Sequence, residues 1–229
     1  MKENKANIAI SKATIDRLPI YYRVLKQIQD DGIALTSSDE MGRKIGVSPE
    51  QIRKDLSAFG EFGKKGVGYF VQELKRNIGE ILGLNKKWNI AIVGLGHLGW
   101  SLANYTRFAS QGFHVQAMFD IDPEKIGQKI NEVEVFHIDS INEMVRSLDI
   151  QIGIITVPAG YAQDVATMLI EAGITGIWNF APVRLDVPAN VHVVSEDFSI
   201  GLNSMSYYLL HSGIHDTDTL VQCESFFSE

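Results

Sequence analysis

The chain has 229 residues, 45% of them hydrophobic and 21% charged, with a net charge of −7 and one cysteine, Cys223. That length and apolar content bury a core in one large or two modest domains and exclude a disordered chain. A single cysteine excludes an internal disulfide framework and is too few to build a metal site. No apolar run is long enough to span a bilayer, and the N-terminal stretch lacks the basic, apolar and small-residue succession of a signal peptide. A cytoplasmic protein is expected.

The charge is divided unevenly. Residues 1–87 carry 16 Lys+Arg against 11 Asp+Glu, a net of +5, while residues 88–229 carry 5 against 17, a net of −12. A basic third on an acidic chain predicts an anionic partner for that third alone, with nucleic acid the leading candidate.

Residues 12–30 predict a helix, with Tyr21, Val24, Leu25 and Ile28 at helical spacing and Gly32 beyond the end. Pro19 sits awkwardly inside it, so the regular helix is expected to begin near that residue. "TSSDEMGRKIGVSPEQIRKDLSAFG" (36–60) predicts two short helices. Ser37 with Glu40 and Ser48 with Gln51 form capping boxes, Pro49 takes the first helical position, and Gly46 supplies the left-handed turn between them. On the second helix Ile52, Leu56 and Phe59 form an inward stripe, and Gln51, Arg53, Lys54 and Ser57 take the other face. "GEFGKKGVGYF" (60–70) suits a β-hairpin with Lys64 and Lys65 at its tip. A further amphipathic helix is predicted at 71–82, and the polar 85–87 reads as a linker.

Two capped helices at a tight turn followed by a basic hairpin predict a winged helix-turn-helix. The second helix would enter the major groove of double-stranded DNA, presenting Gln51, Arg53, Lys54 and Ser57. The serines at the helix starts, Ser37, Ser38 and Ser48, and the wing lysines Lys64 and Lys65 would complete the DNA-facing set. A charge pair on a helix is more often only a solvated face; the net of +5 and the basic wing tip favour DNA.

From Trp88 the pattern alternates, with strands predicted at 88–93, 114–119, 150–157, 174–179 and 191–195 and helices at 98–109, 140–148, 162–172 and 199–210. Such alternation implies a parallel sheet covered by helices, an α/β fold of Rossmann type. Gly94, Gly96 and Gly99 follow an apolar strand and open a helix, and Asp120 ends the next strand 26 residues after Gly94. Glycine turn, helix start and distal acid together predict a dinucleotide site. Its turn runs through Leu95, His97 and Leu98. Asp120, with Ile121 behind it, would hold the adenosine ribose and repel a 2′-phosphate, favouring NAD(H). "TVPAGY" (156–161), with Thr156, Val157 and Pro158, and "NFAPV" (179–183), with Asn179 and Phe180, are mostly apolar. They suit a nicotinamide pocket that penalises the cationic ring of NAD⁺. A dehydrogenase with an N-terminal interaction domain is the alternative. It requires a paired general acid and base, and none of the scattered histidines has a carboxylate set to orient it. No catalytic residue and no metal ligand is assigned.

With these pieces placed, the chain resembles the Rex family of redox-sensing transcriptional repressors. The resemblance rests on "RLPIYYRVL", "TSSDEMG", "QIRKDLSAFGEFGKKGVGY", "VGLGHLG", "FDIDPEKIG", "TVPA", "NFAPV" and "VSEDFSIGLNSMSYYLL". It implies a homodimer on a palindromic operator that reads the NADH/NAD⁺ balance, bound when free or with NAD⁺ and released by NADH. It also implies a C-terminal helix exchanged between subunits. The expected divisions are a winged-helix domain over 1–84, a Rossmann domain over 85–197 and a swapped helix with tail over 198–229. By the same resemblance Arg53 and Lys54 read DNA, Asp120 binds ribose and Tyr105 lies near the nicotinamide. Arg23 and Asp197 would form a switch salt bridge. "EMGRKIG" and Lys64-Lys65 depart from the family's usual pattern, His97 occupies a variable loop position, and the tail after 210 has no counterpart in it.

Overall fold

The computed structural model describes residues 10–64 and 66–211. Two compact units emerge, one ending at Asn85 and one beginning at Lys86.

The first unit contains α1 (Lys12–Asp30), β1 (Leu35–Thr36), α2 (Ser38–Ile45), α3 (Pro49–Ser57), β2 (Tyr69–Phe70) and α4 (Val71–Ile81). Helix α1 does not wait for Pro19. It starts at Lys12, capped by the Ser11 hydroxyl, which accepts from the Thr14 amide, and Pro19 lies inside it. The missing proline N–H would have met the carbonyl of Ile15, and both residues face solvent, where that oxygen can be hydrated. Ser37 and Ser48 cap α2 and α3 as expected, and Gly46 ends α2 at a φ of 67°. Leu18, Tyr21, Leu25, Ile28, Met41, Ile52, Leu56, Leu74 and Ile78 make one core, with Phe59 packed at its margin. The wing is a hairpin in which the Lys64 and Gly68 backbones exchange hydrogen bonds, leading into β2, which pairs antiparallel with β1. This is a winged helix-turn-helix. Lys65 lies outside the described residues.

The second unit contains β3 (Trp88–Val93), α5 (His97–Ala103), α6 (Arg107–Ser110), β4 (Phe113–Asp120), β5 (Lys129–Ile130), β6 (Val133–His137), α7 (Ile141–Ser147), β7 (Ile152–Ile155), α8 (Ala159–Glu171), β8 (Gly176–Asn179), β9 (His192–Ser195) and α9 (Phe198–His211). The seven strands run in the order β5-β6-β4-β3-β7-β8-β9. All neighbours are parallel except β5 against β6. Alternation along the strands separates two apolar layers. Ala91, Val93, Phe119 and Ile155 serve one, and Ile90, Ile92, Met118 and Ile154 the other. Three details differ from the expected elements. The helix expected over 98–109 breaks into α5 and α6, β5 and β6 went unread, and the strand expected over 150–157 is four residues long. β6 is short and carries Glu134 and His137 in its five residues, so its apolar content is too low to stand out.

Helix α9 is apolar, yet each of its residues is exposed, Leu202 at 73% and Leu210 at 81%. A helix apolar on all sides requires cover.

Candidate nucleotide cradle and recognition helix

Strand order reverses at β3, whose neighbours are β4 and β7, so the loops following β3 and β7 emerge side by side at the carboxyl edge. That is where doubly wound sheets bind ligands. The glycines of the first loop have different reasons to be there. Gly94 has a φ of 91°, and a Cβ on it would lie 2.7 Å from Val157 Cγ1. At Gly99 a Cβ would overlap the Gly94 carbonyl oxygen, so Gly99 is required by the packing of α5 on its own loop. Gly96 has ordinary backbone angles, and a Cβ there would meet nothing within 4 Å. Folding does not demand glycine at 96, so the bare backbone there is open to close approach from the mouth of the turn. Leu95 is buried, while Gly96 and His97 are exposed at the mouth of the turn and Leu98 is half-buried.

Asp120 is tied to this loop directly. The Leu95 amide donates to Asp120 Oδ2 at 2.6 Å, and the amides of Ile121 and Asp122 donate to Oδ1 at 2.8 and 3.0 Å. The Lys125 ammonium completes the set at 3.2 Å from Oδ2. Burial pushes the Asp120 carboxyl up, but the amides of Asp122 and Leu95 and the Lys125 ammonium outweigh it and hold it below the usual carboxylate range. The carboxylate is ionised and oriented. Lys125 carries no motif signal in the sequence; the turn in which the Lys125 amide donates to the Asp122 carbonyl folds it back onto Asp120.

The neighbouring loops are more structural than expected. The Thr156 hydroxyl lies 2.6 Å from the Gly94 carbonyl oxygen and 3.0 Å from that of Val93, clamping the glycine turn to β7. Val157 packs against Gly94, and Pro158 leads exposed into α8. Asn179 corrects the expectation of a cofactor contact. It is fully buried, its amide nitrogen donates to the carbonyls of Ala181 and Val183, and its oxygen accepts from the Ala181 amide. It shapes the 179–183 loop from inside, leaving Phe180 half-exposed. Tyr105 is 43% exposed. It begins a row of ring contacts, Tyr105–Phe108 at 5.0 Å, Phe108–Trp178 at 6.2 Å, Trp178–Phe180 at 4.6 Å and Phe180–Phe198 at 6.0 Å. The row ends at the first residue of α9. Asp197 is exposed just before that helix, and its Oδ1 accepts from the Ser199 amide and hydroxyl, which lowers its pKa.

In the first unit α3 presents Arg53, Lys54 and Ser57 to solvent, with Ser48 and Lys64 also exposed. Arg53 pairs with Glu50 at 2.9 Å on that open face. Arg23 lies exposed on α1. Two residues expected to face DNA turn elsewhere. Ser38 is buried, with its hydroxyl 3.1 Å from that of Tyr69. Gln51 is half-buried and donates its amide to Asp55 Oδ1 at 2.8 Å. Ser37 is half-buried and its hydroxyl is engaged in capping α2.

Asp55 is a hub that no sequence motif marks. It stands beside Leu56 and three residues after Ile52, on the inward stripe of α3, where an acid is costly unless satisfied. Arg17 donates to it from Nε at 2.6 Å and Nη2 at 2.8 Å, Tyr21 from its hydroxyl at 2.7 Å and Thr14 from its hydroxyl at 3.1 Å. Burial pushes its carboxyl up, yet the donors, Arg17 foremost, bring it down to about 2. Burial and the bond to Asp55 raise the Tyr21 hydroxyl above its ordinary value. Helix α1 and the exposed helix α3 are thereby joined by one saturated carboxylate.

Known proteins share both halves. A family model described as a putative DNA-binding protein N-terminus matches residues 9–57, and one described as a CoA binding domain matches residues 85–183. The redox-sensing transcriptional repressor Rex of Syntrophobacter fumaroxidans is 47% identical over 87% of this chain and 96% of its own. The protein of the same name from Carboxydothermus hydrogenoformans is 49% identical over 86% of this chain and 95% of its own. Among solved structures, RSP, a Rex-family repressor, in complex with β-NAD⁺ and operator DNA superposes with a TM-score of 0.86. It is 41% identical, over 90% of this chain and 95% of that one. RSP in complex with β-NADH superposes at 0.83 with 40% identity, over 90% of this chain and 97% of that one. A winged helix and a parallel-sheet cradle in one polypeptide, matched along nearly the full length of such relatives, place this chain in the Rex family of redox-sensing transcriptional repressors.

Proposed function

We propose that this chain is a homodimeric repressor that binds a palindromic operator when free or loaded with NAD⁺ and is released from it by NADH. The carrying observation is the direct bond from the glycine turn to Asp120. It assembles a dinucleotide cradle in a chain whose other unit exposes a recognition helix. In this reading Arg53 and Lys54 meet base edges in the major groove, and Lys64 and Lys65 on the wing meet phosphates. Gly94 and Gly99 shape the turn, the bare backbone at Gly96 admits the diphosphate, and Asp120 takes the adenosine ribose. Those contacts are common to both redox forms. Discrimination therefore belongs to the nicotinamide, cationic in NAD⁺ and neutral in NADH, beside the apolar surfaces of Val157, Pro158, Phe180 and Tyr105.

The exposed helix α9 supports a dimer. It offers Phe198, Ile200, Leu202, Met205, Tyr208 and Leu210 to solvent. Burying each contributes about 1.5–3 kcal/mol. Exchange of α9 between subunits would cover it, and the aromatic row from Tyr105 to Phe198 joins the nicotinamide side to that helix. An ion pair between Arg23 and Asp197 would then report the position of the recognition helices. Driving a two-state dimer from about 1:99 to 99:1 takes roughly 5.5 kcal/mol of differential affinity, so pocket and interface must act together.

The relatives are repressors, and we read this chain too as a sensor that does not turn over its nucleotide. The test is a duplex enriched by the protein from random-sequence DNA, titrated with NADH and with NAD⁺ at fixed salt. The reading expects NADH to lower DNA affinity at least tenfold more than NAD⁺. An affinity indifferent to both would reduce the nucleotide to structural support, and steady turnover of NADH with an added substrate would make the chain a dehydrogenase.

A further inference from the structure

Asp120 is saturated by the protein itself. A carboxylate offers about four acceptor positions. The Leu95 amide and the Lys125 ammonium lie at Oδ2, and the amides of Ile121 and Asp122 lie at Oδ1. A ribose hydroxyl that donates to this carboxylate competes with these four donors for its lone pairs, and the most weakly held of them gives way first. Three are backbone N–H groups fixed by the β4 terminus and the glycine turn. The fourth is the end of a flexible side chain, about one-third exposed, and the bond it makes is the longest of the four. Lys125 is the donor that can yield.

Lys125 has a second anchor, Asp122 Oδ2 at 3.4 Å, so leaving Asp120 does not release it to solvent. Burial lowers its pKa and the two carboxylates raise it, with a net shift upward, so the ammonium stays charged. A hydroxyl entering between Lys125 and Asp120 would donate to Oδ2 and accept from the ammonium. Ribose hydroxyls are both donors and acceptors, and the ion pair supplies one group of each kind.

We propose that Lys125 is a ribose-binding residue of the nucleotide site, and that the adenosine ribose binds by inserting a hydroxyl into the Lys125–Asp120 ion pair. This rests on the assignment of Asp120 as the ribose acid. The three side chains Asp120, Asp122 and Lys125 carry a net charge of −1, which admits a neutral diol and disfavours a 2′-phosphate. The nicotinamide plays no part, so Lys125 governs how tightly the dinucleotide is held and leaves the preference for NADH over NAD⁺ untouched.

The experiment measures binding of NADH, NAD⁺ and an NADH analogue lacking both adenosine ribose hydroxyls to the wild-type dimer and to Lys125→Met. Loss of one hydrogen bond to a charged donor predicts about tenfold weaker binding of NADH and NAD⁺ alike. The dideoxy analogue should lose less than twofold on the same substitution, and Lys125→Arg should restore part of the NADH affinity. Undiminished or improved NADH affinity in Lys125→Met overturns the proposal. An equal loss for the dideoxy analogue also overturns it, because Lys125 would then act only by through-space attraction of the diphosphate. Asp120→Ala distinguishes the underlying assignment. If it leaves NADH affinity unchanged, the ribose acid itself is misplaced; if it weakens NADH while Lys125→Met does not, only the inserted hydroxyl is.

Discussion

Replacing Asp55 by asparagine keeps its shape and removes its charge, which isolates the work of one carboxylate. In the folded protein Asp55 accepts five hydrogen bonds from Thr14, Arg17, Tyr21 and Gln51 and titrates at about 2, against 3.8 for the unperturbed group. At 1.36 kcal/mol per pH unit that lowering favours the ionised folded state by about 2.5 kcal/mol. Asparagine additionally turns an NH₂ group toward donors, so the loss at pH 7 should reach about 3–4 kcal/mol, the lower part of the roughly 3–5 kcal/mol for breaking a buried pair by removing one partner. The folded pKa lies below the unfolded one. The contribution is therefore complete above about pH 4 and is lost as the pH falls toward 2. The gap between wild type and Asp55→Asn should narrow across that window. Urea melts followed by far-UV circular dichroism measure it, and tryptophan fluorescence gives an internal control, because Trp88, Trp100 and Trp178 all belong to the second unit. A gap under about 1 kcal/mol at pH 7, or one that stays constant from pH 5 to 2, would refute this account of the network.

The glycine turn separates folding from binding. Gly99→Ala should destabilise the second unit and abolish NADH binding, whereas Gly96→Ala should fold with wild-type stability and still bind NADH at least tenfold more weakly; equal behaviour of the two in thermal melts and titrations would contradict the roles given to them. Arg53→Ala should cost about 1–3 kcal/mol of operator affinity in gel shifts, with NADH binding unchanged, since its pair with Glu50 is exposed and contributes little to stability. Leu202→Glu should elute as a monomer in size-exclusion chromatography with its tryptophan spectrum intact, and a dimer of unchanged stability would show that α9 lies outside the interface.

Much of this protein is written locally. Ser37, Ser48, Pro49 and Gly46 announce α2, α3 and their turn because caps and left-handed turns depend on residues within four positions of one another. Gly94, Gly96, Gly99 and Asp120 reveal the cradle for a related reason, since a strand, a turn and a helix in immediate succession leave one geometry open. Element ends were less legible. Pro19 sits within α1 at a solvent-facing position, where water can satisfy the carbonyl that its missing N–H leaves free, and residue type alone does not say which way a position faces.

What only the tertiary structure decided concerns polar side chains whose partners are distant in the chain or brought near by a turn. Asp55 reads as one more charge on a helix of mixed charge until α1 packs over it with Arg17 and Tyr21. Asn179 reads as a ligand contact until its own loop closes around its amide, and Lys125 as solvent-exposed until a turn folds it onto Asp120. A hydrogen bond forms over about 3 Å and in a set direction. Sequence spacing carries neither quantity once the chain has turned a corner, so the amino-acid order names the elements while packing assigns their polar atoms.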